Sequence, residues 1–218
     1  MLKKSVLLAG ATGLVGNEVL KLLAEHEQFD PLAIVTRRPI SIPESVHQHQ
    51  VDFDRLSDYS EKIRGDVVII ALGTTLKKAG SKEAFYKVDF SYCYEIARLA
   101  RDNGAAHLLL ISSMGADQNS RIFYSRVKGE LEAAVQKLDY PAISIFRPSL
   151  LRGDRKEFRL REEFGKIFDS LFSFLLPAKY KSIHARTVAS AMVNAALQDA
   201  EGVRIIESDE IKNMAKIN

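Results

Sequence analysis

The sequence predicts an α/β fold: a doubly wound, mostly parallel sheet with a small C-terminal substrate-side lid over residues 152–185. Three observations carry that expectation. Apolar runs of strand length alternate with stretches of helical period; two of the runs, Val67–Leu72 and Leu108–Ile111, are apolar without a break; and a glycine-rich turn follows the first run. Unbroken apolar strands suit a sheet covered on both faces, as parallel sheets are. Strand and helix in strict alternation are what a doubly wound domain requires.

The elements follow in order. Strands are expected at Ser5–Ala9, Leu32–Thr36, Asp66–Leu72, His107–Ser112 and Ala142–Phe146, with a short one before Asp52 and a last one at Gly202–Ile206. A helix from Gly13 to Glu25 turns Leu14, Val15, Val19, Leu22 and Leu23 to one side, and a second from Lys82 to Asn103 does the same with Phe85, Val88, Tyr92, Ile96 and Leu99. Asn103-Gly104 stops it. A third, Tyr124 to Leu138, points Val127, Leu131 and Val135 inward, and a late helix rich in alanine and valine runs from Ala185 to Gln198. The charged loop Arg152–Glu163 and the apolar segment Phe164–Leu176, ended by Pro177, interrupt the alternation. At 218 residues the chain is expected to form one domain, 1–218.

Composition excludes several classes. The net charge of +3, from 31 Lys+Arg against 28 Asp+Glu, is too small a surplus to indicate nucleic acid. The run after Lys3-Lys4 ends at Gly10, too early for a secretory leader, and no stretch is apolar for long enough to span a bilayer. The lone Cys93, flanked by Tyr92 and Tyr94, reads as a buried filler in a reducing compartment. A cytoplasmic monomer or homodimer is expected, without nucleic-acid or membrane partners. His47-x-His49 lacks a third ligand at recognisable spacing, so no metal is expected.

Gly10-Ala11-Thr12-Gly13-Leu14-Val15-Gly16 follows the first strand and opens the first helix, with the spacing G-x-x-G-x-x-G. One glycine permits the turn, another lets backbone N–H groups approach a pyrophosphate, and the third lets helix and strand pack closely. Such a turn is the signature of a Rossmann-type dinucleotide site, and Thr12 adds a hydroxyl. At the end of the second strand, where NAD-selective sites place a carboxylate for the ribose, stand Arg37 and Arg38. Two guanidiniums suit a 2′-phosphate, so NADP(H) is expected rather than NAD. Asp52 and Phe53 are expected beside the adenine, and Leu72-Gly73-Thr74 at the carboxyl end of its strand, where ligands of such folds bind.

The fifth strand runs into Ser112-Ser113, and the following helix begins Tyr124-Ser125-Arg126-Val127-Lys128. Tyr124 and Lys128 lie one turn apart on one helical face. A phenol with an ordinary pKa of about 10 is a poor acid–base near neutrality; a neighbouring ammonium stabilises its phenolate. Ser113 is expected to hydrogen-bond the substrate oxygen beside Tyr124. Ser112 is expected to face the other side of the strand or to bond backbone.

These segments, with Thr36-Arg37-Arg38, Val51-Asp52-Phe53, Val88-Asp89, Ser112–Asp117 and Phe146-Arg147-Pro148, resemble the short-chain dehydrogenase/reductase superfamily, and within it an atypical branch of NADPH-binding oxidoreductases. The resemblance covers nearly the whole chain. It implies that Pro148 and Leu151 line the nicotinamide and that Arg159 reaches the cofactor. Conventional members carry an asparagine relay where this chain has Asp89.

The sequence thus favours an NADP(H)-dependent oxidoreductase that reduces a small carbonyl compound, with Tyr124 as proton donor. Two other functions fit the fold: an NADPH-binding regulatory protein without turnover, and a sugar-nucleotide epimerase, for which the segment after Pro148 is short.

Overall fold

A computed structural model describes residues 3–152 and 181–216. Strand β1 (Lys4–Ala9) leads through the glycine turn into α1 (Leu14–Ala24), followed by β2 (Phe29–Thr36) and β3 (Val46–Gln50). A 3₁₀ segment, Phe53–Lys62, precedes β4 (Val67–Ile70), and the short helices α2 (Leu76–Ala79) and α3 (Lys82–Tyr86) come next. A π-helical turn, Lys87–Ser91, joins α3 to α4 (Tyr92–Asp102). Then come β5 (His107–Ile111), α5 (Phe123–Val135), β6 (Ala142–Arg147) and β7 (Leu151–Arg152). After residues 153–180 the chain continues as β8 (Ile183–His184), α6 (Ala185–Leu197), β9 (Gly202–Glu207) and α7 (Ser208–Met214).

Seven strands form one sheet in the order β3-β2-β1-β4-β5-β6-β9, and every neighbouring pair in it is parallel. The short β7 and β8 pair separately. Two cores explain the unbroken apolar strands. Leu8, Ile69 and Leu109 point to the face covered by α1 and α6, where they meet Val19, Leu23, Val188 and Met192. Their neighbours Leu7, Val68, Ile70, Leu108 and Leu110 point the other way, onto Ile96 and Ala100 of α4 and Leu131 and Val135 of α5. The run Val67–Ile70 of β4 therefore has no face left for polar residues.

The chain winds outward in both directions from the β1/β4 pair, so the connections leaving these two strands diverge. A crevice opens at their carboxyl ends, the binding position of doubly wound sheets.

Several elements differ from the sequence expectation. Strand β4 ends at Ile70, two residues early: the Ala71 N–H still bonds the Ala9 carbonyl at 2.8 Å, but Leu72 has left the ladder to line the crevice. The helix expected over Lys82–Asn103 is interrupted by the π turn. Helix α7, the 3₁₀ segment and the β7–β8 pair were not legible. Most of the lid over 152–185, with Arg159 and the segment Phe164–Leu176, lies outside the described residues.

Candidate cofactor and catalytic site

The glycine turn is built by close approach. Gly10 has φ of +95°, and a Cβ there would lie 2.5 Å from the Ala71 carbonyl carbon and oxygen. A Cβ on Gly16 would lie 2.1 Å from the Gly10 carbonyl oxygen, so only glycine lets the first turn of α1 rest on the end of β1. The Gly13 N–H closes the turn on the Gly10 carbonyl at 2.8 Å. Helix α1 then starts at Leu14 with no side-chain cap, leaving the first-turn amides of its N-terminus for a ligand.

Gly13, Leu14 and Val15 form one wall of a cavity of about 100 Å³. The opposite side carries Leu72, Gly73 and Thr74 after β4, Ser113 after β5, Tyr124 and Lys128 of α5, and Pro148 and Leu151 after β6. Five separate segments predicted to serve one site therefore converge on one cleft. Ala71, Thr75, Asp89, Ile111, Ser112 and Ser149 line it as well.

Ser112, expected to face the other side of the strand or to bond backbone, bonds backbone through its N–H and also lines the cleft. Strand β5 ends at Ile111, so strict alternation stops there; Ser112 lines the cleft beside Ser113. Its N–H bonds the Phe146 carbonyl at 2.8 Å, yet the hydroxyls of both serines are buried without a hydrogen-bond partner among the described residues. Buried hydroxyls left in this way are costly unless a ligand completes them.

Tyr124 packs its ring against Phe85 of α3, centroids 5.7 Å apart, in a small cluster with Val127. Lys128 is buried, and its Nζ stands 2.7 Å from Asp89 Oδ1. The other oxygen, Oδ2, accepts the Thr74 N–H at 2.8 Å. Asp89 sits on the π turn, a geometry often found at functional sites. One carboxylate thus ties the lysine of α5 to the loop after β4. Burial alone depresses the Lys128 ammonium, but the charge of Asp89, followed by Tyr124, outweighs it and holds the lysine above its usual range.

Arg37 and Arg38, which do not line this cavity, are exposed just after β2. Asp52 is exposed and caps the 3₁₀ segment by accepting the Asp54 N–H at 2.9 Å. Phe53 is buried against the edge of Tyr92, so its ring belongs to the core and its flat face is not presented at the surface. The Val51 N–H bonds the Thr36 carbonyl at 3.0 Å, which keeps this loop beside the arginine turn.

Two further titratable groups, Cys93 and His107, do not line the cavity. Burial pushes the Cys93 thiol up to about 12, which makes it inert at neutral pH. His107 bonds the Ser144 hydroxyl at 2.9 Å under the sheet. Among the described residues no cluster of histidine, cysteine or carboxylate is arranged to hold a metal, and no helix is long and apolar enough to cross a membrane.

Residues 10–152 match a family of NAD(P)H-binding domains. Protein HTATIP2 of Rattus norvegicus is 35% identical over 99% of this chain and 91% of its own length. The mitochondrial protein FMP52 of Meyerozyma guilliermondii is 34% identical over 96% of this chain and 94% of its own. Among solved structures, a short chain dehydrogenase family protein from Francisella tularensis superposes with a TM-score of 0.68 at 12% identity, covering 95% of this chain and 98% of that one. The Bordetella bronchiseptica enzyme WbmH, solved with NAD+, gives 0.70 at 14% identity over 98% of this chain and 80% of its own. These two likenesses are of fold.

The relatives overturn the cytoplasmic placement expected from the sequence. The FMP52 proteins of Meyerozyma guilliermondii, Candida albicans, Eremothecium gossypii and Aspergillus niger are all named mitochondrial, which points away from a cytoplasmic address. The expectation had rested on an unpaired cysteine and a missing apolar leader. Neither separates the two compartments, because mitochondrial targeting segments are amphipathic and basic, unlike secretory leaders. By its matched domain the chain belongs to the family of NAD(P)H-binding domains, with a parallel seven-stranded sheet of Rossmann type, and it is a relative of HTATIP2 and FMP52 along nearly its whole length.

Proposed function

We propose that this protein is an NADP(H)-dependent oxidoreductase that reduces a small carbonyl compound, with Tyr124 as proton donor. The observation that carries the proposal is the convergence of Ser113, Tyr124 and Lys128 on one cleft with the glycine turn. The residues fit a dinucleotide. Gly10 and Gly16 allow close backbone approaches that any Cβ would block, and Ser112 and Ser113, whose buried hydroxyls have no partner among the described residues, line the cleft.

In this reading Gly10, Thr12, Gly13, Leu14, Val15 and Gly16 receive the pyrophosphate, and Leu72, Gly73 and Thr74 support the adjoining ribose. Arg37 and Arg38 take the 2′-phosphate; Asp52 and the backbone at Phe53 border the adenine; Pro148 and Leu151 border the nicotinamide. When bound, the reduced nicotinamide supplies a hydride to the carbonyl carbon. Tyr124 gives its phenolic proton to the carbonyl oxygen, so that hydride and proton together make the alcohol. Ser113 donates a hydrogen bond to the same oxygen and orients it. The Lys128 ammonium stabilises the phenolate left behind. Asp89 holds that ammonium in place while its charge moderates the stabilisation.

The test is turnover of NADPH against a panel of aldehydes and ketones, by wild type and Tyr124→Phe. Loss of at least about a hundredfold in kcat is expected, the range of a missing general acid. Equal turnover would remove Tyr124 from the role.

A further inference from the structure

The arginine turn after β2 is held from outside itself. Strand β3, at the edge of the sheet, places Gln48 and Gln50 on one of its faces, two residues apart. The Gln48 side chain donates from Nε2 to Thr36 Oγ1 at 2.6 Å and to the Arg38 carbonyl at 3.0 Å, while its Oε1 accepts the Ile40 N–H at 3.3 Å. Gln50 Nε2 donates to the Arg37 carbonyl at 3.4 Å. Both arginine carbonyls are therefore bound by carboxamides of a neighbouring strand, and the Ile40 amide beyond them is bound too. Both arginines are exposed.

We infer that Gln48 is a positioning residue for cofactor choice: it fixes the main chain of residues 36–40 so that Arg37 and Arg38 present their guanidiniums together to a 2′-phosphate. The inference rests on the NADP(H) reading above. Bidentate recognition of a phosphate needs both forks placed at once, and a turn already held in shape does not lose that ordering freedom on binding. A loop free to move would lose affinity for the phosphate while leaving the rest of the nucleotide site unaffected. Among the described residues Gln48 is not part of the cleft lining, so its effect is confined to the adenosine end.

The test uses two fragments that differ only in the phosphate, 2′,5′-ADP and 5′-AMP, with Kd measured by calorimetry. Gln48→Met keeps the length and removes all three hydrogen bonds. Gln48→Glu keeps the acceptor for Ile40 and replaces the donors with a negative charge. Wild type is expected to prefer 2′,5′-ADP. In Gln48→Met the preference is expected to fall about tenfold, the worth of one or two hydrogen bonds, with the 5′-AMP Kd unchanged. Gln48→Glu is expected to lose more. If Arg37→Ala with Arg38→Ala abolishes the preference while both Gln48 variants retain it, the role assigned to Gln48 is wrong and the cofactor reading stands. If wild type shows no preference, the cofactor reading itself fails. Equal weakening of both fragments would mark Gln48 as merely structural and would also overturn the inference.

Discussion

Lys128 and Asp89 show how a residue pair can be both structural and chemical. Their charged atoms lie 2.7 Å apart, and both side chains are almost wholly buried. Removing one member of such a pair leaves an uncompensated charge in a low-dielectric site, at a cost of about 3–5 kcal/mol, whereas replacing both with apolar groups is often nearly neutral. Asp89→Ala is therefore expected to lower unfolding stability in urea by that amount. Asp89→Leu combined with Lys128→Met is expected to recover most of the stability while remaining inactive. A double variant as unstable as the single one would mean that the Asp89 bond to the Thr74 amide, and not the ion pair, dominates. That Ser113, Tyr124 and Lys128 meet at one cleft was legible, because their spacing follows a strand end and a helical turn. The partnership of Lys128 with Asp89 was not, since residues 39 apart in sequence meet only through the packing of the π turn against α5.

At the scale of elements, glycine records where two backbones touch. The turn glycines Gly10 and Gly16 announced themselves by spacing. Gly129, inside α5, carried no signal in the sequence, yet a Cβ there would lie 2.2 Å from the Gln118 amide nitrogen and 2.3 Å from the Asp117 carbonyl carbon. This contact seats α5, which carries Tyr124 and Lys128, on the loop leaving Ser113, reinforced by the Asp117 N–H bond to the Ser125 carbonyl at 3.0 Å. Gly129→Ala gains helix propensity of about 1 kcal/mol but must push α5 off that loop. A net loss of about 1–3 kcal/mol is expected, together with reduced turnover, because Tyr124 and Lys128 move with the helix. Thermal unfolding and kcat measured on the same variant check both. A stabilised and fully active Gly129→Ala would show that the loop yields freely. The boundary of β4 was misjudged for a related reason: Ala71 and Leu72 continue the apolar run, but they turn aside beneath the glycine loop.

For the whole molecule, strand alternation and unbroken apolar runs were enough to anticipate a parallel doubly wound sheet, because both faces of each central strand are covered by helices. Composition says nothing comparable about Ser208–Met214, a short helix that follows β9 without a break, or about cellular address. The sheet order brings the ends of β1, β4, β5 and β6 to one crevice. The ion pair of Arg147 with Glu132, bidentate at 3.0 and 2.6 Å, then locks α5 to β6 beside it. That architecture makes hydride transfer at the cleft the central claim. It is tested most directly by incubating the protein with NADPH deuterated at the transferable position and a panel of carbonyl compounds, then weighing the alcohols formed. One deuterium per product molecule is predicted with wild type, and none above background with Tyr124→Phe. Saturable NADPH binding with no deuterium in any product, or equal transfer by both proteins, would contradict the account.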